Sequence, residues 1–373
     1  MVRLTLTAAL ASLLPFVVAI PTELWTREDF RGECGTVTTP QDLAVIAAVA
    51  GNSSSFASTN GFLASALPSY SIEPWQLGDI TVKTWIHVVS VDGTPAGGNI
   101  PESQLIAQIV VLNENFAPNH VQFTLEGITR TVNAAWSTDV NGAEIQMKSA
   151  LRKGDYKTLN LYFQTVLRGN ALGYAYYPAA TTVGSRAFNL SGATNLFSTV
   201  PGGSATNYNL GKTVTHEVGH WMGLAHTFDG LTCSGPGDYI ADTATHSAPS
   251  RGCPIGLDTC LDGEGPDPIH NYMDYSYDSC YEEFTALQTK RMFDMWNMYR
   301  QPRACSADNC LRALRLDSVP GRLEESQAFC GEFTKFLVSE VTQVKSYAVS
   351  ACAGNVVSRV SSACSCLPTP TAT

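Results

Sequence analysis

Apolar and polar positions along the chain alternate between two periods. From Ile80 to Val91 the run ITVKTWIHVVSV is dense in β-branched and aromatic residues and predicts a buried strand, in which His87 is a packed core histidine rather than a ligand. From Ser103 to Phe116, Leu105, Ile109, Leu112 and Phe116 fall at helical spacing behind Pro101. Val121 to Ile128 alternates as a strand, Ala143 to Lys153 is helical, and Thr158 to Val166 (TLNLYFQTV) is a further strand. This succession predicts an α/β sheet backed by helices. Gly169 to Gly211, rich in Gly, Ala, Ser, Thr and Asn, reads as loop and edge strand, its tyrosines as packing. A helix over Lys212 to Gly223 has its apolar side on Val214, Val218, Met222 and Leu224. Phe284 to Tyr299 predicts an amphipathic helix through Leu287, Met292, Met295 and Trp296, and Asp42 to Ala50 a short one.

The helix at Lys212 carries the chemistry. His216 to His226 reads HEVGHWMGLAH and contains three of the seven histidines of a 373-residue chain. His216 and His220 are four apart, so on a helix both imidazoles share one face and can chelate one cation. Glu217 lies about a third of a turn away, poorly aimed at the metal but suited to act as a general base beside it. His226 comes six residues after His220 and would reach the far side of a continuing helix. The helix must therefore stop first, and Gly223 tolerates the conformation that stops it. Three neutral imidazoles with one open position make a catalytic zinc site.

The same eleven residues match the HExxHxxGxxH signature of metzincin metalloproteases, whose second mark is a methionine turn. Asn271-Tyr272-Met273-Asp274-Tyr275 supplies a candidate turn. The words TVTHEVGHWMGLAHTF, NYMDYSYDSC and FTALQTKRM resemble the pappalysin, or cytophagalysin, family over roughly residues 80 to 300. The resemblance implies a metzincin-type zincin fold of the α/β (α+β) class, with a twisted mixed sheet, an active-site helix and a Met-turn. It implies zinc on His216, His220 and His226, Glu217 as base, Met273 in the turn, the Tyr275 phenol near the metal and a Cys253–Cys280 disulfide. In zincins an edge strand binds substrate backbone, and Ala187 to Thr199 is the expected counterpart. The implied function is a secreted zinc endopeptidase that hydrolyses peptide bonds through a zinc-bound water activated by Glu217. The alternative is an inactive secreted binding module that retains its metal, against which the retention of Glu217 argues.

Composition narrows the setting. With 44% hydrophobic and 15% charged residues the chain can bury a large core, and a net charge of −10 without a basic run argues against a nucleic-acid partner. The expected partners are protein or peptide substrates. Arg3, an apolar run to Ile20, and small residues at Val17 and Ala19 read as a signal peptide over 1–19 rather than a membrane anchor. Eleven cysteines behind a secretory signal imply disulfides, and an odd total leaves one unpaired. Asn52 and Asn189 head glycosylation sequons. Residues 20–75 read as a pro-segment and linker, 76–302 as the catalytic domain, and 303–373 as a Cys-rich helical appendage ending in a disordered Pro/Thr tail. Within the pro-segment, RGECG offers Cys34 either as a zymogen switch, its thiolate covering the zinc, or as a disulfide partner for a downstream cysteine. The acidic residues between 227 and 270 (Asp229, Asp238, Asp242, Asp258, Asp262, Glu264, Asp267) read as a solvated loop braced by disulfides, with a calcium site as the alternative.

Overall fold

A computed structural model describes residues 34–53, 79–139, 142–263, 265–301, 309–316, 318–333, 342, 344–352, 356–364 and 366–367. The expected signal peptide, Glu264, Cys305 and the C-terminal tail lie outside them. The described elements are α1 (Pro40–Ser53), β1 (Ile80–Ser90), α2 (Glu102–Phe116), β2 (Val121–Val132), α3 (Ala134–Ser137), α4 (Glu144–Leu151), β3 (Leu159–Gln164), β4 (Gly173–Ala175), α5 (Arg186–Leu190), β5 (Ala193–Leu196), α6 (Lys212–Trp221), α7 (Ala286–Met295), α8 (Asn309–Leu314), α9 (Arg322–Phe333), α10 (Ser346–Val349) and α11 (Val356–Cys364).

The strands form one mixed sheet in the order β2-β1-β3-β5-β4, parallel except for β4, which runs antiparallel to β5. The expected edge strand within Ala187 to Thr199 is therefore displaced. β5 occupies that segment but lies one position inside, and the free edge belongs to the three residues of β4. Gly173 and Ala175 are too short a run for period-two patterning to register. A bulge opposite Thr84 and Trp85 skips Glu126, and Gly127 lies where any Cβ would meet the Trp85 ring, so only glycine fits.

The two faces of the sheet differ because side chains alternate. Ile86 and Val88 of β1 stand beside Leu161 and Phe163 of β3, and they join Leu105, Leu112 and Phe116 of α2 with Val214, Val218 and Trp221 of α6 in the main core. The opposite face is exposed at Thr81 and Lys83 of β1 but buried where β1 meets β3, at His87, Asn160 and Tyr162. There His87 Nε2 donates to Asn160 Oδ1 (2.9 Å), its Nδ1 accepts from Thr129 Oγ1 (2.7 Å), and its ring stacks on Tyr162. One nitrogen donates and the other accepts, so the imidazole is neutral, and burial holds its pKa down at about 4 against an ordinary 6.5. The folded state thus binds fewer protons here than the unfolded chain. The stability involved is present above pH 6.5 and is lost as pH falls toward 4, on the order of 3 kcal/mol in all. Denaturant midpoints measured between pH 7 and 4.5 should fall less steeply for His87→Gln than for the parent chain. Equal slopes would remove His87 from the account.

Outside the sheet, α1 packs Ile46 and Val49 against Ala225 and Met295, so the segment before β1 rests on the body that carries the histidines. The short helix expected there is longer, extending to Ser53. α7 starts with a capping box between Thr285 and Gln288. A separate apolar cluster gathers α8, α9, α10 and α11 around the disulfides Cys310–Cys352 and Cys330–Cys364. Cys233–Cys260 and Cys253–Cys280 brace the long loop between α6 and α7.

Candidate metal centre

Helix α6 ends where its sequence requires. Gly223 adopts φ +101°, and the Leu224 N–H donates to Gly219 O (3.0 Å) and Gly223 N–H to His220 O (2.9 Å), the paired bonds of a Schellman C-cap. A side chain at Gly223 would also overlap Met295. The reversal returns His226 to the face carrying His216 and His220. His220 Nε2 then lies 3.1 Å from His216 Nε2 and 3.0 Å from His226 Nε2, with all three rings buried. At its other end α6 is held by a carboxylate from beyond the methionine: Asp278 Oδ2 accepts from Leu210 N (2.8 Å) and Lys212 N (3.3 Å).

The protons on these rings can be located from their partners. His216 Nδ1 lies 2.6 Å from Tyr272 O and His220 Nδ1 lies 2.7 Å from Leu224 O; carbonyls only accept, so both Nδ1 atoms carry hydrogen. Burial holds His216 down at about 3 and His220 well below the usual imidazole range, each further depressed by its neighbouring histidines. Both rings are therefore neutral, and their Nε2 lone pairs face each other with no proton available to either. A cation resolves that repulsion. Nitrogens around a tetrahedral zinc with bonds near 2.1 Å lie roughly 3.4 Å apart, close to the separations found. The residues present fit the group.

Cys34 completes the cluster. Its thiol is buried and in no disulfide, lies 3.5 Å from His220 Nε2, and belongs with the three histidines to a set of four donor atoms within 4.8 Å of one another. Among the described residues this is the group of His, Cys, Asp and Glu donors able to surround an ion. In the acidic loop, Asp238 accepts from Thr243 and Ile240, Asp242 caps α7, and Asp267 accepts from Thr259. Glu217 is fully buried, against Gly173, where a Cβ would meet its Cγ at 2.7 Å. Burial pushes its pKa up to about 8, opposed by hydrogen bonds from Cys34 and Thr36.

Met273 is fully buried beneath α6, where any side chain at Gly219 would overlap its sulfur. The following Tyr275 packs its ring 5.0 Å from that of His226 and donates from its hydroxyl to Cys34 O (3.1 Å). Asn189 is half-buried in α5, its amide donating to Gly184 O, and Asn52 falls in the last turn of α1. Sequence reasoning missed Thr36 and Tyr177. Thr36 Oγ1 donates to Glu217 Oε2 (3.1 Å) and accepts from Ala175 N (2.8 Å). The Tyr177 hydroxyl bridges Thr38 Oγ1 (2.9 Å) and His220 Nδ1 (3.3 Å). Neither residue belongs to a spacing motif, and only the threading of 34–39 along β4 brings them to the site. That threading includes a parallel bridge from Cys34 to Gly173 and a bond from Gly35 N to Gly173 O (2.7 Å).

Comparison with known proteins agrees with this geometry. The family model Peptidase_M43, described as pregnancy-associated plasma protein-A, matches residues 146–297. An extracellular metalloprotease of Colletotrichum graminicola is 56% identical over 221 residues, covering 59% of this chain and 78% of its own. Mature mirolysin of Tannerella forsythia, solved with a cleaved peptide, superposes with a TM-score of 0.50 at 28% identity, covering 69% of this chain and 98% of its own. A promirolysin mutant from the same organism gives 0.54 at 26% identity over 71% and 94%.

Proposed function

The chain belongs to the pappalysin family of metallopeptidases, with a metal and protein or peptide substrates, and from that premise we propose a secreted, zinc-dependent endopeptidase held latent by its own Cys34 segment. The observation that carries this reading is the convergence of the His216 and His220 lone pairs, with His226 alongside and a buried carboxylate next to them. Three imidazoles and a thiol are donors suited to zinc rather than to a hard cation. Secretion is supported by relatives named as extracellular and by the apolar run behind Arg3; among the described residues no helix is long and apolar enough to cross a membrane.

Zinc, when bound, acidifies a water molecule and polarises the carbonyl to be attacked. Glu217 takes the proton from the attacking water on its carboxylate and hands it to the departing amine. The Tyr275 hydroxyl donates to the carbonyl oxygen as negative charge develops on it. Its hydrogen bond to the backbone carbonyl of Cys34 supports that role, because this carbonyl stands in for one in a substrate. His216 and His220 are kept in the correct tautomer by Tyr272 O and Leu224 O, and Met273 supports the helix from below. The edge of β4 aligns an extended peptide by backbone hydrogen bonds, as Gly173 O accepts from Gly35 N while Ala175 N donates to the Thr36 hydroxyl.

Elemental analysis should find one zinc per chain. Protein freed of the residues before Trp75 should hydrolyse casein, lose that activity to a chelator and regain it with zinc. Hydrolysis indifferent to the chelator would overturn the reading, and bound zinc without hydrolysis would favour the inactive binding module.

A further inference from the structure

Beyond Ala175 the outer edge of β4 opens onto a cavity of about 310 Å³ whose lining includes none of the three histidines. Its wall is formed by Tyr156, Tyr174, Tyr176, Arg168 and Ala187, and across from them residues of the 34–39 segment, Val37 among them, complete it. Val37 lies three residues from Cys34, about 10 Å in an extended chain. A segment hydrogen-bonded along β4 thus already brings one aliphatic side chain to the cavity while its other end meets the histidines.

The chemistry of the wall selects its occupant. The Tyr176 hydroxyl donates to Glu144 Oε2 (2.8 Å) and the Tyr156 hydroxyl accepts from Ala179 N (3.0 Å), so these polar tips are engaged by the chain itself. Arg168 is bound twice, to Asp139 Oδ2 (2.7 Å) and Glu144 Oε2 (2.8 Å), and offers no uncompensated charge to an acidic side chain. Asp42, the other charged residue of the lining, accepts from Thr39 N and Thr39 Oγ1 and belongs to the segment before β1, so it leaves with that segment. Aromatic carbon is what remains, and burying apolar surface against it is favourable.

We propose that this cavity is a specificity subsite that receives one large apolar side chain, aromatic or leucine-like, of an extended peptide lying along β4, two or three residues from the bond that is cut. The assignment rests on the peptidase reading above. When the 34–39 segment leaves, the peptide takes its place on β4 and the side chain fills the space that Val37 borders. Ala187, exposed and small, keeps the entrance wide.

The test is a digest of a peptide library by the zinc-loaded chain freed of its latency segment, with every cut sequenced. Large apolar residues should be enriched at one position two or three residues from the cut. In synthetic peptides, replacing that residue by alanine should lower kcat/KM about tenfold or more. Ala187→Trp should erase the difference in kcat/KM between the two peptides. If Ala187→Trp does not fold with zinc bound, Tyr156→Ala, which widens the cavity, should shift the preference to larger side chains. An even distribution at that position, or a preference unmoved in the folded variant, would overturn the subsite and leave the peptidase intact. No cleavage at all by the parent enzyme would overturn both.

Discussion

Replacing Glu217 by glutamine is expected to lower peptide hydrolysis by about three orders of magnitude, within the range found when a general base is removed, while zinc content stays unchanged. Glutamine has nearly the same shape, so the packing against Gly173 survives and its amide oxygen can still accept from Thr36. What disappears is a group able to hold a proton between its transfer from water and its delivery to the amine. The substitution therefore separates chemistry from architecture, provided that metal content and thermal unfolding are measured beside turnover. A glutamine variant with ordinary turnover would exclude Glu217 as the base. One that lost its zinc would show that the carboxylate supports the centre and leave its chemical role to another residue.

Cys34→Ala should release activity from the uncleaved chain, by about two orders of magnitude, each factor of ten standing for roughly 1.4 kcal/mol of segment binding removed. The thiol lies 3.5 Å from His220 Nε2, and its backbone fills the start of the β4 edge where substrate would pair. Burial, and next to it the Glu217 carboxylate, raise the pKa of this thiol well above the ordinary range, so its occupancy of the cluster is favourable as a thiolate only opposite a cation. Release will be incomplete. Thr36 still binds Glu217 and Ala175, and Thr38 still donates to Asp229 Oδ2 (2.7 Å), so part of the segment remains seated. Combining Thr36→Ala with Cys34→Ala should raise the activity further. After removal of the segment the parent and variant proteins should be indistinguishable, which guards against an indirect effect on folding. A full-length Cys34→Ala protein as silent as its parent would mean that the thiol is not what blocks the site.

Short-range periodicity was sufficient for most of the framework. β1, β3, α2, α6 and α7 follow from spacings that repeat over two or more turns or pleats; α2 and α6 bury the positions expected of them, and α7 buries Met292 and Met295 but leaves Leu287, in its first turn, exposed. Where elements are only three to five residues long, as in β4, α5 and β5, no period has room to appear, and the edge of the sheet was placed one strand too far in.

The three histidines, the carboxylate between the first two, and the glycine that ends their helix were fixed within eleven consecutive residues, because a helix converts spacing directly into direction. Membership of Cys34 in that cluster was not determined locally. A lone thiol 182 residues before His216 has no spacing to constrain it, so pairing and metal coverage remained equally open until the chain was folded. Tertiary structure leaves Cys34 out of any disulfide and sets it against the histidines by laying residues 34–36 along the edge of β4, whose backbone groups accept an extended segment whatever its side chains. The same packing recruited Thr36, Tyr177 and the aromatic cavity beyond them. Direction within one helix is a local property of the chain, whereas proximity between distant segments exists only once the sheet has closed around them.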